Sequence, residues 1–301
     1  MHHTSLRWTI TGVLLATGFS VQATPSANPN ALREALTLHA SFDETLSADF
    51  AMGEADLRHF TTREERVAGG EPAEVDENLQ IQPAEGRFGG AMFRGAAHDG
   101  RLFYPAVKNL TLDEPTLSGT VSLWLRTNPD EDIPRAFCDP IMFISDNHRD
   151  GFMFIEWSKD HTPRKFRYAI LPEYARWNPE DQDWESFPDD ERPMVQLSDR
   201  PFGRDHWVHV AFTYDKINAG KSGRGALFID GKPVGEISDW DLTFGWNPEA
   251  VIIAVAWNYV GWMDDLAIFD RALSAEEIAL LYALPGGVGE LGPTSDPSKS
   301  P

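Results

Sequence analysis

Residues 207–215, Trp-Val-His-Val-Ala-Phe-Thr-Tyr-Asp, form the segment that decides the fold. Apolar side chains recur at every second position from residue 208 to residue 212, which is the period of a β-strand buried on one face. A second apolar run at residues 226–229 is followed directly by Asp230-Gly231. Asp-Gly favours the positive φ angles of a type I′ turn, so this run predicts a hairpin.

The same strand signals recur along the chain, either as alternation or as short runs that are apolar on both faces. They lie at residues 36–42, 121–125, 141–144, 152–155, 251–256 and 263–269. One helix is predicted near the C-terminus, because Ser274 and Glu277 form a capping box before apolar residues at helical spacing. Many short strands and a single late helix favour an all-β, two-sheet antiparallel sandwich with one short C-terminal helix.

The termini predict export and a single domain. A positive start and a short apolar run end at Val21-Gln22-Ala23, which is typical of a signal peptide at residues 1–23; an amphipathic first helix is the alternative. Residues 24–33 are expected to form a flexible leader, residues 34–285 the folded domain and residues 286–301 a disordered tail. The apolar run is too short to span a bilayer, so we expect a secreted or periplasmic protein.

The charge balance limits the partners of the protein. Lys and Arg number 26 against 47 Asp and Glu, which gives a net charge of −21. A surface this negative repels phosphate backbones, so nucleic acid is not an expected partner. It is compatible with hard cations such as Ca²⁺, which prefer carboxylate oxygens. Cys138 is the single cysteine, so no internal disulfide can form.

Four segments resemble one known family. They are Leu-His-Ala-Ser-Phe-Asp at 38–43, the Gly-rich segment at 86–93, the strand at 207–215 with the hairpin at 227–231, and residues 261–274. Together they resemble the laminin-G-like jelly rolls of the concanavalin A-like lectin and glucanase superfamily. The resemblance implies a jelly-roll sandwich. It does not identify a ligand, because one fold hosts many functions and the family includes binding modules, adhesion modules and hydrolases.

A structural calcium ion is the cofactor that the resemblance implies. Asp43 follows the first strand and Asp264 lies in the last one, and neighbouring terminal strands would bring both carboxylates to one ion. Backbone carbonyl oxygens would complete the coordination. The alternative is that Asp264 accepts backbone N–H bonds and organises the end of its strand.

A long segment between residues 168 and 196 is the expected ligand-binding region. It combines aromatic rings, which stack on sugar faces, with carboxylates, which accept hydroxyl hydrogens. The predicted ligand-binding residues are Tyr174, Trp177, Asp183, Trp184 and Glu185. The alternative is a solvated lid whose two tryptophans hold it to the sandwich.

No catalytic residue is predicted. Glucanases of the superfamily carry Glu-x-Asp-x-Glu on one strand, whereas residues 181–185 begin with Asp and lie in a Pro-flanked loop. The sequence therefore favours an exported, non-catalytic module that binds carbohydrate or an extracellular polymer. A glycoside hydrolase or polysaccharide lyase, and a protein–protein adhesion module, stay open as alternatives.

Overall fold

The computed structural model describes residues 27–95, 100–183, 187–188, 191–197 and 201–292. The predicted signal peptide at residues 1–23 lies outside the described residues. Within them the chain forms two antiparallel sheets, as predicted for a jelly-roll sandwich. The helices are α1 (Pro29–Ala35), α2 (Arg63–Val67), α3 (Tyr174–Trp177) and α4 (Ala275–Ala283), with 3₁₀ turns at His148–Asp150, Gly220–Ser222, Pro248–Ala250 and Val288–Leu291.

The first sheet, sheet A, contains nine strands. They are β1 (Leu36–Ala40), β2 (Phe50–Ala51), β5 (Leu79–Gln82), β6 (Ala91–Arg94), β8 (Leu117–Arg126), β13 (Val208–Ile217), β14 (Arg224–Ile229), β15 (Lys232–Ile237) and β17 (Gly261–Phe269). Their order is β15-β14-β13-β8-β17-β1-β2, with β6 also pairing with β17 and β5 with β6.

The second sheet, sheet B, contains eight strands. They are β3 (Arg58–Phe60), β4 (Glu71–Pro72), β7 (Arg101–Pro105), β9 (Cys138–Ile144), β10 (Phe152–Trp157), β11 (Phe166–Leu171), β12 (Met194–Gln196) and β16 (Ile252–Trp257). Their order is β12-β11-β10-β9-β16-β7-β3-β4. The runs predicted to be covered on both faces, β9 and β10, lie near the centre of this sheet.

The main core lies between the two sheets. Val210 and Phe212 of sheet A pack in one cluster with Phe143 and Ile253 of sheet B. The alternation seen in the sequence therefore directs every second side chain of β13 into the space between the sheets. Phe143 also contacts the Phe212 ring, with 6.2 Å between the centroids.

The predicted hairpin is present, and it ends sheet A. Asp230 and Gly231 have φ angles of +48° and +73°, as a type I′ turn requires. The returning strand, β15, is the edge strand of the sheet, which explains how Pro233 is tolerated without a backbone donor.

The outer face of sheet A is covered by helices from both ends of the domain. The capping box predicted for α4 forms between Ser274 and Glu277. Leu32 of α1 packs in the same cluster as Val288 and Leu291 of the last 3₁₀ turn. The predictions of a flexible leader at 24–33 and a disordered tail at 286–301 are therefore corrected for the described residues, because α1 begins at Pro29 and a 3₁₀ turn occupies Val288–Leu291. No helix in the described ranges is long and apolar enough to cross a membrane.

Candidate functional site

Tyr174 and Trp177, two of the predicted ligand-binding residues, pack on the outer face of sheet B. Trp177 closes the short helix α3, is 3% exposed, and packs edge-on against Tyr174 and Phe187 at centroid distances of 5.1 and 5.6 Å. Asp183 is exposed to solvent. Trp184 and Glu185 lie outside the described residues. Trp177 therefore anchors the segment, whereas Tyr174 remains partly accessible.

This segment borders a cavity of about 380 Å³, within the usual size range for small-ligand sites. We call it the aromatic cavity, because its walls include the aromatic side chains of Phe137, Phe152, Phe154, Tyr174, Trp177 and Trp257. A larger and more open depression of about 900 Å³ lies elsewhere, and its walls contain no aromatic side chain. The aromatic cavity is therefore the better candidate for a site that holds an organic ligand.

Two carboxyl groups form part of the same cavity. Asp139 on β9 lies directly opposite Trp257 on β16, and Glu156 on β10 lies directly opposite Arg167 on β11. Glu156 and Arg167 form an ion pair, and each side chain is only 3% exposed. A register shift in β10 between Ile155 and Trp157 accompanies this arrangement. The cavity floor is thus a polar row on a sheet face that is otherwise mostly apolar.

Asp139 differs from Glu156 in its partners. Asp139 is 7% exposed, and Arg167 and Arg101 act on its carboxyl group through their charges, with no hydrogen bond among the interactions that shift its pKa. Burial raises the pKa of Asp139 well above its ordinary value, and the nearby charge of Glu156 raises it further. Arg167 and Arg101 act in the opposite direction without cancelling the effect. The net effect favours the protonated form of Asp139 relative to an exposed aspartate.

Asp139, Glu156 and Trp257 were not among the residues predicted from the sequence. The motif sought there places acids at alternate positions of one strand, whereas these two acids come from adjacent strands and are 17 positions apart in the chain. One signal was available: Glu156 interrupts Phe-Met-Phe-Ile and Trp in a strand that was predicted to be covered on both faces. A buried acid in such a strand needs a partner, which points to a polar site on that sheet.

The two predicted metal ligands meet at one turn. The Asp264 Oδ2 accepts a hydrogen bond from the Phe88 backbone N–H at 2.9 Å, and the Asp43 Oδ1 accepts one from the Gly90 backbone N–H at 2.6 Å. Gly89 between them has φ +94°, and a Cβ there would lie 2.3 Å from the Asp43 Oδ1. The turn at residues 86–90 therefore needs glycine to let the carboxylate approach.

The chemistry of this turn fits a hard cation. Asp264 is fully buried, and its Oδ1 has no hydrogen-bond partner among the described residues. Burial raises the pKa of Asp264 to about 8. No group of three metal-binding side chains occurs in the described part of the chain, so backbone oxygens would complete a site. An orphaned oxygen beside a second carboxylate suits Ca²⁺, which binds oxygen ligands alone. The neighbouring Asp265 is instead bonded to His39 and the Val288 N–H.

The family of the chain follows from its sequence. Residues 103–279 match the sequence profile of the Laminin_G_3 family, described as the Concanavalin A-like lectin/glucanases superfamily. The match spans more than half of the chain, so the chain belongs to this family, as its motifs predicted. Among curated proteins, none matches the sequence.

Solved structures share the fold at low sequence identity. Domain 4 of AbnA, a GH43 extracellular arabinanase from Geobacillus stearothermophilus in complex with arabinotriose, is 17% identical, with a TM-score of 0.51 over 83% of this chain and 98% of that one. The binding domain of botulinum neurotoxin DC in complex with rat synaptotagmin II is 15% identical, with a TM-score of 0.55 over 83% of this chain. The same domain in complex with SialylT is 16% identical, with a TM-score of 0.51 over 85% of this chain. The chain spans about half of each neurotoxin domain, 52%.

Proposed function

We propose that the protein is an exported, non-catalytic module that binds a glycan in the aromatic cavity. The observation that carries the proposal is the combination, in one cavity, of several aromatic rings with two carboxyl groups. Aromatic rings supply apolar surface for the C–H faces of a sugar, and carboxyl groups exchange hydrogen bonds with its hydroxyls. Phe137, Phe152, Tyr174 and Trp257 are the partly exposed rings of the wall. Tyr174 and Trp257 are the expected contacts, because each combines a ring face with a polar group that can bond a sugar hydroxyl.

Two structural relatives were solved with saccharide ligands, arabinotriose in one case and SialylT in the other. At 15–17% identity the likeness concerns the fold alone, so the ligand of this chain depends on its own cavity. Trp177 was predicted to contact the ligand, but its side chain is buried. We therefore propose that Trp177 positions Tyr174, and that the Tyr174 ring contacts the glycan. Asp183, Trp184 and Glu185 stay proposed ligand-binding residues, and the last two lie outside the described residues.

A glycan array probed with the mature protein tests this proposal. Stacking on an aromatic ring contributes about 0.5–1.5 kcal/mol beyond area burial. Tyr174→Ala and Trp257→Ala are therefore each expected to weaken the best array ligand by up to roughly tenfold, since about 1.4 kcal/mol is one decade. Tyr282→Ala is the matched control, because Tyr282 is an exposed ring of helix α4, which packs on sheet A and takes no part in the aromatic cavity. An array without any bound glycan contradicts the proposal.

Hydrolysis is a second candidate function, and one specific observation favours it. Asp139 is a buried carboxyl group whose raised pKa suits a general acid, and the second carboxyl of Glu156 lies in the same cavity. If the protein cleaves its glycan, new reducing ends will accumulate with the wild type and not with Asp139→Asn. Equal and negligible release by both proteins leaves the binding module as the function.

We further propose a structural Ca²⁺ held by Asp43 and Asp264 beside the turn at residues 86–90. The support is the buried, unpaired Oδ1 of Asp264 and the second carboxylate at the same turn. When bound, the ion would supply positive charge to two carboxylates and tie the first strand to the last. The support for export is the signal-peptide pattern of residues 1–23.

A further inference from the structure

The aromatic cavity contains one carboxyl group, that of Asp139, whose charge the protein offsets only in part. The cations around the cavity have other contacts. Arg167 is paired with Glu156, Arg149 with Asp181 at 3.0 Å, Lys159 with Asp160 at 3.7 Å, and Arg101 donates to the Asn258 side chain at 3.2 Å. Asp139 is more than nine-tenths buried and forms part of the cavity wall, and Arg167 and Arg101 act on it only through their charges.

Its surroundings within the cavity are largely aromatic. Phe152 and Phe154 stack at a centroid distance of 5.2 Å, and both belong to the wall. The faces of aromatic rings carry partial negative charge and attract cations. Two rings of the same wall already attract the chain's own cations, with Arg149 4.2 Å from the Tyr174 ring and Arg101 4.4 Å from the Trp257 ring.

We propose that the aromatic cavity selects glycans that carry a protonated amine, with the ammonium group placed against Asp139. This inference rests on the proposed glycan-binding function and names its ligand class: oligomers of an amino sugar. An ammonium group is a positively charged partner for the carboxylate of Asp139, and it donates up to three hydrogen bonds. The net charge of −21 adds a negative potential that concentrates cationic ligands near the surface.

Proton exchange gives this binding mode a distinct signature. Burial raises the pKa of Asp139, so in the empty cavity its carboxyl group keeps a proton to a higher pH than an exposed aspartate does. Contact with an ammonium group favours the carboxylate, so binding releases this proton to the buffer, and the ligand keeps its own charge. The groups that act on Asp139 come from neighbouring strands: Glu156 from β10, Arg167 from β11 and Arg101 from β7.

The test uses three tetrasaccharides with one backbone that differ only at C2: the β-1,4 tetramers of glucose, glucosamine and N-acetylglucosamine. Titration calorimetry on the mature protein, at a pH where the amine is protonated, is expected to give at least roughly tenfold tighter binding of the glucosamine tetramer, as one hydrogen bond between charged groups provides. The binding enthalpy of that tetramer alone should vary with the ionisation enthalpy of the buffer.

Two variants assign the effect to one residue. Asp139→Asn keeps the shape of the side chain and is expected to bring the affinity ratio of the glucosamine to the glucose tetramer close to one. Asp113→Asn removes the same charge from an exposed position and is expected to leave the ratio unchanged. Melting curves of both variants confirm that the compared proteins are folded.

The outcomes separate this inference from the function on which it rests. Tight binding of the neutral tetramers without any preference for the amine overturns the amine inference and leaves glycan binding intact. The amine inference is also overturned if Asp139→Asn retains the preference, or if Asp113→Asn loses it. If none of the tetramers binds, and a glycan array finds no other saccharide ligand, the proposed function falls as well.

Discussion

The buried ion pair between Glu156 and Arg167 provides a quantitative test of the cavity floor. Removing one partner of a buried pair leaves an uncompensated charge and costs about 3–5 kcal/mol. In Glu156→Gln, however, Arg167 still has Asp139 in the same row, and Asp139 can ionise to replace the lost carboxylate. We therefore expect Glu156→Gln alone to lower the free energy of unfolding by less than about 3 kcal/mol.

Asp139→Asn and the double variant complete a double-mutant cycle with Glu156→Gln. Asp139→Asn alone should change the free energy of unfolding at pH 7 by less than about 1 kcal/mol, because no hydrogen bond is among the interactions that act on Asp139. The double variant removes the ion-pair partner of Arg167 together with the carboxyl group that could replace it, and should reach the full loss of about 3–5 kcal/mol. For a domain of this size that corresponds to a melting temperature lower by roughly 6–20 °C. The double loss should exceed the sum of the single losses by about 0.5–3 kcal/mol.

Urea unfolding at several pH values measures these quantities. The folded pKa of Asp139 lies above its unfolded value, so its contribution to stability is complete below the unfolded pKa of about 3.9 and is lost as the pH rises through the folded pKa. Asp139→Asn should remove this part of the pH dependence. Additive losses in the double variant would refute the reasoning, because they would mean that Asp139 does not act as an alternative counterion for Arg167.

Three further predictions concern other parts of the molecule. Millimolar Ca²⁺ should raise the melting temperature, because bound ligand adds about 2.7 kcal/mol to the free energy of unfolding at a hundredfold excess over Kd. Asp264→Asn should abolish this gain, and Asp113→Asn should retain it. An identical wild-type melting curve in chelator would count against the site. Burial lowers the pKa of His209 to about 3, so stability present above pH 6.5 should decline as the pH falls toward 3; a His209→Gln variant with an unchanged acid limb would contradict this. N-terminal sequencing of the exported protein should begin at or near Thr24, and an exported chain that starts at Met1 would refute cleavage.

Much of the fold could be predicted from local patterns in the sequence. The alternation in 207–215 predicted β13, Asp230-Gly231 predicted the hairpin, and Ser274 with Glu277 predicted the start of α4. Each of these signals acts over a few residues, through the two-residue period of a strand, the φ angles of a turn or the capping of a helix. Patterns of this length are present in the sequence itself.

The boundaries of the domain were predicted less well, because burial at the termini depends on distant partners. Leu32 and Val288 are buried against each other's segments on the outer face of sheet A, although each lies in a stretch rich in Gly, Pro or small polar residues. Local composition therefore indicated flexible ends, whereas the tertiary fold supplies the apolar surface that orders them.

The candidate site was decided by the tertiary structure. The sequence by itself determined the strands that carry Asp139 and Glu156, and the order of those strands along the chain. Only the pairing of β9 with β10 and β16, including the register shift in β10, placed the two acids beside Trp257 and Arg167. In a sheet, neighbours across strands are set by register between segments that are distant in the chain, and a shift of one residue turns every side chain to the other face.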